Sequence, residues 1–176
     1  MIVLIKWILF SVLAISLWSI CIYISVKIKQ DNVYSSYKLM DILLQKRYSL
    51  ISAILSKVQS QMTKESSDIL YATQLRDEAM TLGIKRENLA RRFAFDYELS
   101  LTMQKIIEKI KDYPQLNSSQ ELTGTLTAYI ELNNKIKIHA SAYNKKAESL
   151  RHAIDTFPSS FISRLNNVKR AHYFKV

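Results

Sequence analysis

Trp7 to Val26 form a run of twenty residues without one charge. Nothing else in the chain limits its folding options as much. A helix rises 1.5 Å per residue, so the run covers roughly 30 Å, the thickness of a bilayer's hydrocarbon core. Lys6 borders it on one side, Lys27 and Lys29 on the other. Trp7, Trp18 and Tyr23 stand near its ends, where amphipathic rings suit the headgroup region. The sequence therefore predicts one membrane span, followed by a chain polar enough for water. Two alternatives use the same run. A cleaved signal peptide has a shorter apolar core and small residues at its cleavage site. Here Ile20-Cys21-Ile22-Tyr23-Ile24-Ser25 puts bulky side chains there. A lipoprotein signal modified at Cys21 calls for a small residue just before it, where Ile20 stands. The uncleaved span fits best, so the first 30 residues are expected to stay attached.

The 176 residues, less about 30 for the anchor, leave the length of one ordinary domain. Its only glycines are Gly83 and Gly124, its only prolines Pro114 and Pro158. So few breakers leave room for few turns, which argues for a small number of long helices and against a β-protein. Cys21 is the only cysteine, so one chain can form neither a disulfide nor a cysteine-based metal site. The net charge is +10; with the three lysines flanking the span set aside, the remainder is about +7. Anionic lipid and nucleic acid both attract such a domain. Its basic residues are spread along the chain, however, which reads as a solvated helix surface.

The clearest periodicity lies near the C-terminus. Leu122, Leu126, Tyr129, Asn133, Ile136, Ala140, Tyr143, Ala147, Leu150, Ile154 and Phe157 alternate spacings of four and three. This predicts one long helix with a narrow, coiled-coil-like apolar stripe. A capping box of Ser118 and Glu121 marks its start, and Phe157-Pro158 its end. Asn133, the one polar residue in the stripe, is expected to fix register. A second face joins Tyr37, Met40, Leu44, Tyr48, Ile51, Ile54, Leu55, Val58 and Met62. With no Gly or Pro before Leu82, the membrane helix can continue into the domain, with Thr63 to Asp68 as the place for a break. A third segment, about Glu87 to Lys111, turns Phe93, Leu99, Met103, Ile106 and Ile110 inward, followed by Tyr113.

Short connections make neighbouring helices antiparallel. The expected fold is all-α: an N-terminal transmembrane helix, then an antiparallel bundle of three to four long helices, up-down-up. The organisation is an anchor over 1–30, a bundle over 31–158 and a basic tail over 159–176 that packs on the bundle.

Familiar catalytic patterns are missing. His139, His152 and His172 form no i,i+4 pair, and there is no HExxH. Two isolated glycines cannot build a phosphate loop, and no GxSxG occurs. Glu148 and His152 do not have the spacing of a carboxylate-bridged metal site, and Glu148 lies off the stripe. Arg91-Arg92-Phe93 and Lys169 to Phe174 alternate basic and aromatic residues, which could stack bases. A helix start and an aromatic-anchored tail account for them more simply.

Several short motifs occur in a telling order. They are Leu44-Gln45-Lys46-Arg47-Tyr48-Ser49-Leu50-Ile51, Tyr113-Pro114-Gln115-Leu116, Asn134-Lys135-Ile136, Tyr143-Asn144, Phe157-Pro158 and Tyr173-Phe174. Together with the N-terminal span they resemble the LemA family of bacterial membrane proteins, over essentially the whole chain. Ser49 stands where the family usually has Asp, Ser52 where it has Pro, and Asn133 where it has Glu. The resemblance implies a membrane-anchored antiparallel helical bundle in the bacterial cytoplasmic membrane. It implies no enzymatic activity and no cofactor.

The same motif residues have a physical reading. Arg47 lies near the inward face of the first helix and needs a partner, because an unpaired buried charge is costly. Glu108, Asp112 and the tail's carboxylate are the candidates. Tyr113, Tyr143 and Phe157 are expected to plug bundle ends. The functional expectation is a single-pass, non-enzymatic scaffold that presents a basic bundle to a protein partner or to anionic lipid. A membrane-tethered nucleic-acid-binding module, or an enzyme or metalloprotein with an unrecognised site, is the alternative. Lys6 precedes the span, whereas Lys27, Lys29, Lys38, Lys46 and Arg47 follow it. The positive-inside rule therefore puts the N-terminus outside and the domain in the cytoplasm.

Overall fold

The scarcity of Gly and Pro has its expected consequence: helices are the only regular elements among the described residues. The computed structural model describes residues 1–175. Helix α1 runs from Ile2 to Val58, α2 covers Ser66–Leu82, α3 Leu89–Ile110, α4 Pro114–Asn117, α5 Gln120–Asp155 and α6 Ser159–Leu165. Short 3-10 turns at Thr63–Glu65 and Arg86–Asn88 precede α2 and α3. The first long helix therefore breaks over residues 59–65, beginning four residues before the expected Thr63, and Ser66 to Asp68 already form the first turn of α2.

The described chain divides into two compact units. One comprises Met1–Ser36 and Tyr143–Tyr173; the other comprises Tyr37–Ala142 and the chain end from Phe174.

In the larger unit, all nine residues assigned to the inward face of α1 and its extension are buried, from Tyr37 to Met62. α2 adds Ile69, Ala72, Leu75 and Ala79, and α3 adds Leu89, Phe93, Leu99, Met103, Ile106 and Ile110. α2 ends on Gly83, whose φ of 60° is the left-handed conformation that glycine adopts without a Cβ clash. Asn88 Nδ2 donates to the Leu82 carbonyl (3.0 Å), satisfying one orphan group of that helix end. Pro114 opens α4 at its first turn, where a missing N–H costs nothing. The start of α5 departs from expectation. Ser119 Oγ accepts from the Leu122 N–H (3.3 Å), while Ser118 Oγ donates back to the Gln115 carbonyl (3.0 Å). The cap is therefore Ser119, because the helix begins at Gln120, two residues after Ser118.

The smaller unit buries Val26 and Val33 of α1 with Tyr143, Ala147, Leu150 and Ile154 of α5. Lys29 Nζ donates to Ser149 Oγ (2.8 Å) between these helices. The α5 stripe is buried from Leu122 to Ile154 except at Leu126 and Asn133, which are half-buried, and Leu132 beside Asn133 is buried instead. α6 stops in a Schellman-type turn: Asn167, at φ 51°, donates to the Arg164 carbonyl, and the Val168 N–H donates to the Ser163 carbonyl (2.9 Å). Upstream, the apolar side chains from Val3 to Ile24 of α1 are exposed in long succession.

Candidate functional site: a charge network in the helical core

α3 shows an irregularity in its apolar spacing. Phe93 and Leu99 are six apart, nearly two turns, and Asp96 sits between them on the same face. Asp96 is completely buried, as is Arg92 one turn earlier. An isolated buried carboxylate or guanidinium is very unfavourable, so each must find an opposite charge. α1 supplies them. Arg47 Nη2 donates to Asp96 Oδ1 at 2.6 Å, and Arg92 Nη2 donates to Asp41 Oδ1 at 2.5 Å. Each helix thus contributes one Arg and one Asp, and the two ion pairs cross between them with no net charge.

Tyrosines complete the network. The Tyr48 hydroxyl donates to Asp96 Oδ1 at 2.7 Å. Arg92 Nη1 shares a 2.7 Å hydrogen bond with the Tyr37 hydroxyl and donates to the Gly83 carbonyl at 2.9 Å. The Arg92 guanidinium also lies 5.8 Å from the Tyr37 and Tyr48 ring centres, within cation–π range. Arg47 Nη1 donates to Ser100 Oγ (3.1 Å). Burial first, and then the Asp96 charge, hold the Tyr48 phenol well above the usual tyrosine range. For Arg92, burial opposes the charge, but the oxygens of Tyr48, Tyr37 and Asp41 outweigh it and raise the pKa further. Saturation is incomplete: Arg47 Nε, Arg92 Nε and Asp96 Oδ2 are buried and make no hydrogen bond.

Asp96 corrects the expected pairing of Arg47. Glu108 and Asp112 lie three to four turns further along or beyond α3, out of the arginine's reach. The C-terminal carboxylate, the third candidate, lies outside the described residues. Of the remaining motif residues, Tyr143 is fully buried, and its hydroxyl donates to the His172 carbonyl (2.8 Å). Burial raises its pKa as well. Tyr113 is half-buried just before α4, Pro114 is exposed, Asn134 is exposed on α5 and Asn144 is half-buried. Phe157 is no core plug. It is exposed after the end of α5, joined to half-buried Pro158 by a cis peptide. At the chain end the two aromatics part. Tyr173 lies under the Arg151 guanidinium at 4.8 Å in the smaller unit. Phe174 is buried in the larger unit, edge-on to Phe93 at 4.9 Å.

The network thus joins Arg47 and Tyr48 of the first motif to Tyr37, Asp41, Arg92 and Asp96, which none of the motifs contains. The LemA family model matches residues 36–176, which takes in every residue of this network. The chain belongs to the LemA family. Compared with curated proteins, this LemA chain finds no match. Its family membership and its long apolar N-terminal helix are consistent with a membrane-associated helical protein.

Chemically, the network is a clamp. Arg47, Arg92 and Asp96 have no solvent access through which a substrate could approach. Their directional bonds tie Asp41 and Arg47 of α1 to Arg92 and Asp96 of α3.

Proposed function

We propose that this LemA chain is a single-pass, membrane-anchored helical scaffold without catalytic activity. It resides in the bacterial cytoplasmic membrane and holds a basic bundle surface toward a protein partner or anionic lipid. One observation carries the reading. α1 is a continuous helix whose first part exposes its apolar side chains from Val3 to Ile24, all but half-buried Ile22, and whose later part buries a single face. Monomeric soluble proteins do not leave so long an apolar surface in water, and a bilayer removes it.

The bundle reading has its own support. Along α1 and α3, Tyr37 and Asp41 pair with Arg92, and Arg47 pairs with Asp96 and Ser100. Residue numbers rise together, so these two helices run in the same direction, as alternate members of an up-down-up arrangement do, with α2 returning between them. Lys57 of α1 pairs with Glu121 at the start of α5. A late residue of one meets an early residue of the other, as in an antiparallel pair. Arg47, Arg92 and Asp96, buried and with Asp41 at the network's half-buried edge, serve as a register clamp rather than as catalysts.

Alkaline carbonate extraction of cells expressing the full chain tests the anchor. The full chain is expected in the membrane pellet, and a chain starting at Asp31 in the soluble fraction with helical circular dichroism. Release of the full chain by carbonate would overturn the reading.

A further inference from the structure

The smaller unit carries a second apolar feature that the core does not use. Phe157, Phe161 and Leu165 are 79%, 62% and 71% exposed, and they follow one another at intervals of four on and just before α6. Within α6 that spacing puts Phe161 and Leu165 on one edge, and Phe157, outside the helix, lines the same cleft. The same short helix borders a cleft of about 450 Å³ whose opposite wall is α1 itself, through Ile15, Trp18 and Ile22. We infer that α6 is a second, shallow membrane contact, its apolar edge inserted among phospholipid acyl chains that also fill the cleft against α1. This rests on the reading that Trp7–Val26 crosses the bilayer.

Position decides the occupant. Tyr23, at the upper rim of the cleft, is four residues from Lys27, roughly 6 Å along the helix, and Ile15 is roughly 18 Å from it. A hydrocarbon layer of roughly 30 Å over Trp7–Val26 therefore also covers the level of α6. The exposed edge of α6 is continuous with the lipid-facing surface of the span, so what bathes one bathes the other. The backbone suits that place, because lipid tolerates few unsatisfied polar groups. The Ser160 N–H donates to the Thr156 carbonyl (2.9 Å), the Phe161 N–H to the Pro158 carbonyl (3.2 Å), and Pro158 has no N–H to satisfy. Lys169 is exposed four residues beyond the end of α6, and Arg164, exposed within it, has a stem long enough to carry its charge toward the phosphates.

The test uses the full chain reconstituted in phosphatidylcholine vesicles with brominated acyl chains. The native tryptophans, Trp7 and Trp18, report the span. Phe161→Trp and Leu165→Trp, each in a Trp7→Phe/Trp18→Phe background, report α6. The expected result is blue-shifted emission from both α6 reporters, with quenching by bromines near the headgroups at least half as strong as that of Trp18. Aqueous iodide should quench them less than about twofold compared with free tryptophan. Water-like emission quenched by iodide at both reporters, with Trp7 and Trp18 quenched by bromolipid, would overturn the hook and leave the span intact. If Trp7 and Trp18 also escape bromolipid, the span reading itself fails.

Discussion

Arg47 and Asp96 meet at 2.6 Å in the packed interior, and both carry other bonds: Arg47 to Ser100, and Asp96 to the Tyr48 hydroxyl. The carboxylate is the acceptor on which both α1 donors depend. Asp96→Ala leaves the buried Arg47 guanidinium without a counter-charge and the Tyr48 phenol without its acceptor, and is expected to cost about 3–5 kcal/mol. The network is not a stability optimum, however, since Asp96 Oδ2 and both arginine Nε atoms are unsatisfied. The triple replacement Arg47→Met, Tyr48→Phe, Asp96→Leu is expected to recover most of that loss. Denaturant melts of the full chain in detergent measure both. A triple variant no more stable than Asp96→Ala would show that the charges contribute net stability, not register alone.

Tyr48 and Tyr143 give the fold an alkaline limit. Burial raises both phenol pKa values, with the Asp96 charge adding to the rise at Tyr48. The folded state holds these protons more tightly than the unfolded chain, whose tyrosines titrate near pH 10. Their contribution is therefore intact below about pH 10 and is lost as the pH rises above it. Melting temperatures taken between pH 8 and 11.5 should fall above about pH 10. The fall should be shallower in Tyr48→Phe/Tyr143→Phe; an identical slope would remove these two groups as the cause.

How far the sequence could be read depended on the kind of interaction involved. Apolar periodicity is a local signal, so the buried face of α1 was legible residue by residue from Tyr37 to Met62, and that of α5 from Leu122 to Ile154 apart from Leu126, Asn133 and the unassigned Leu132. The existence of a break after the first long helix was legible, but its place was only approximate: the helix ends at Val58, and Ser66 to Asp68, expected to interrupt it, open α2 instead. The partner of Arg47 was not, because pairing between helices depends on register, which no single segment encodes. A trace existed nonetheless: the six-residue gap between Phe93 and Leu99 marks an inward position at Asp96, and Arg92 lies one turn before it. Phe157 misled because it continues the α5 stripe arithmetically, while the helix ends at Asp155 and the chain turns away at Pro158.

The two glycines should respond in opposite directions to alanine. Gly83 has φ 60°, and its carbonyl accepts from Arg92, so a Cβ there is strained although no atom lies within 4 Å of it. Gly83→Ala is expected to destabilise by about 1–2 kcal/mol. Gly124 lies within α5, again with open space around the new Cβ. Gly124→Ala should stabilise by about 0.5–1 kcal/mol through helix propensity alone. Thermal melts of the two single variants, compared with the parent, read out both signs at once.

Ile136 is the fully buried middle of the α5 stripe, and Ile138, two residues on, is exposed. Ile136→Asp puts an unpaired carboxylate into the core and should cost several kcal/mol, about enough to unfold a marginal domain. Ile138→Asp should change stability by no more than about 0.5 kcal/mol. Circular dichroism melts of the pair separate burial from the mere presence of a charge on α5. Equal melting temperatures would mean that the stripe is not the core.

Membrane orientation follows from the charges at the two ends of the apolar run. Lys6 alone precedes it, whereas Lys27 and Lys29 follow at once and Lys38, Lys46 and Arg47 lie within about six turns of its end. Lys and Arg near span ends are retained on the cytoplasmic side, so the domain is expected there and the N-terminus outside. Charges close to the membrane weigh most, which makes Lys27 and Lys29 the deciding pair. Fusions at the C-terminus should give green fluorescence and no alkaline phosphatase activity. Replacing Lys27 and Lys29 with Gln, while adding two lysines before Trp7, should raise phosphatase activity at the expense of fluorescence. A parent fusion that is active as phosphatase and dark as fluorophore would reverse the orientation.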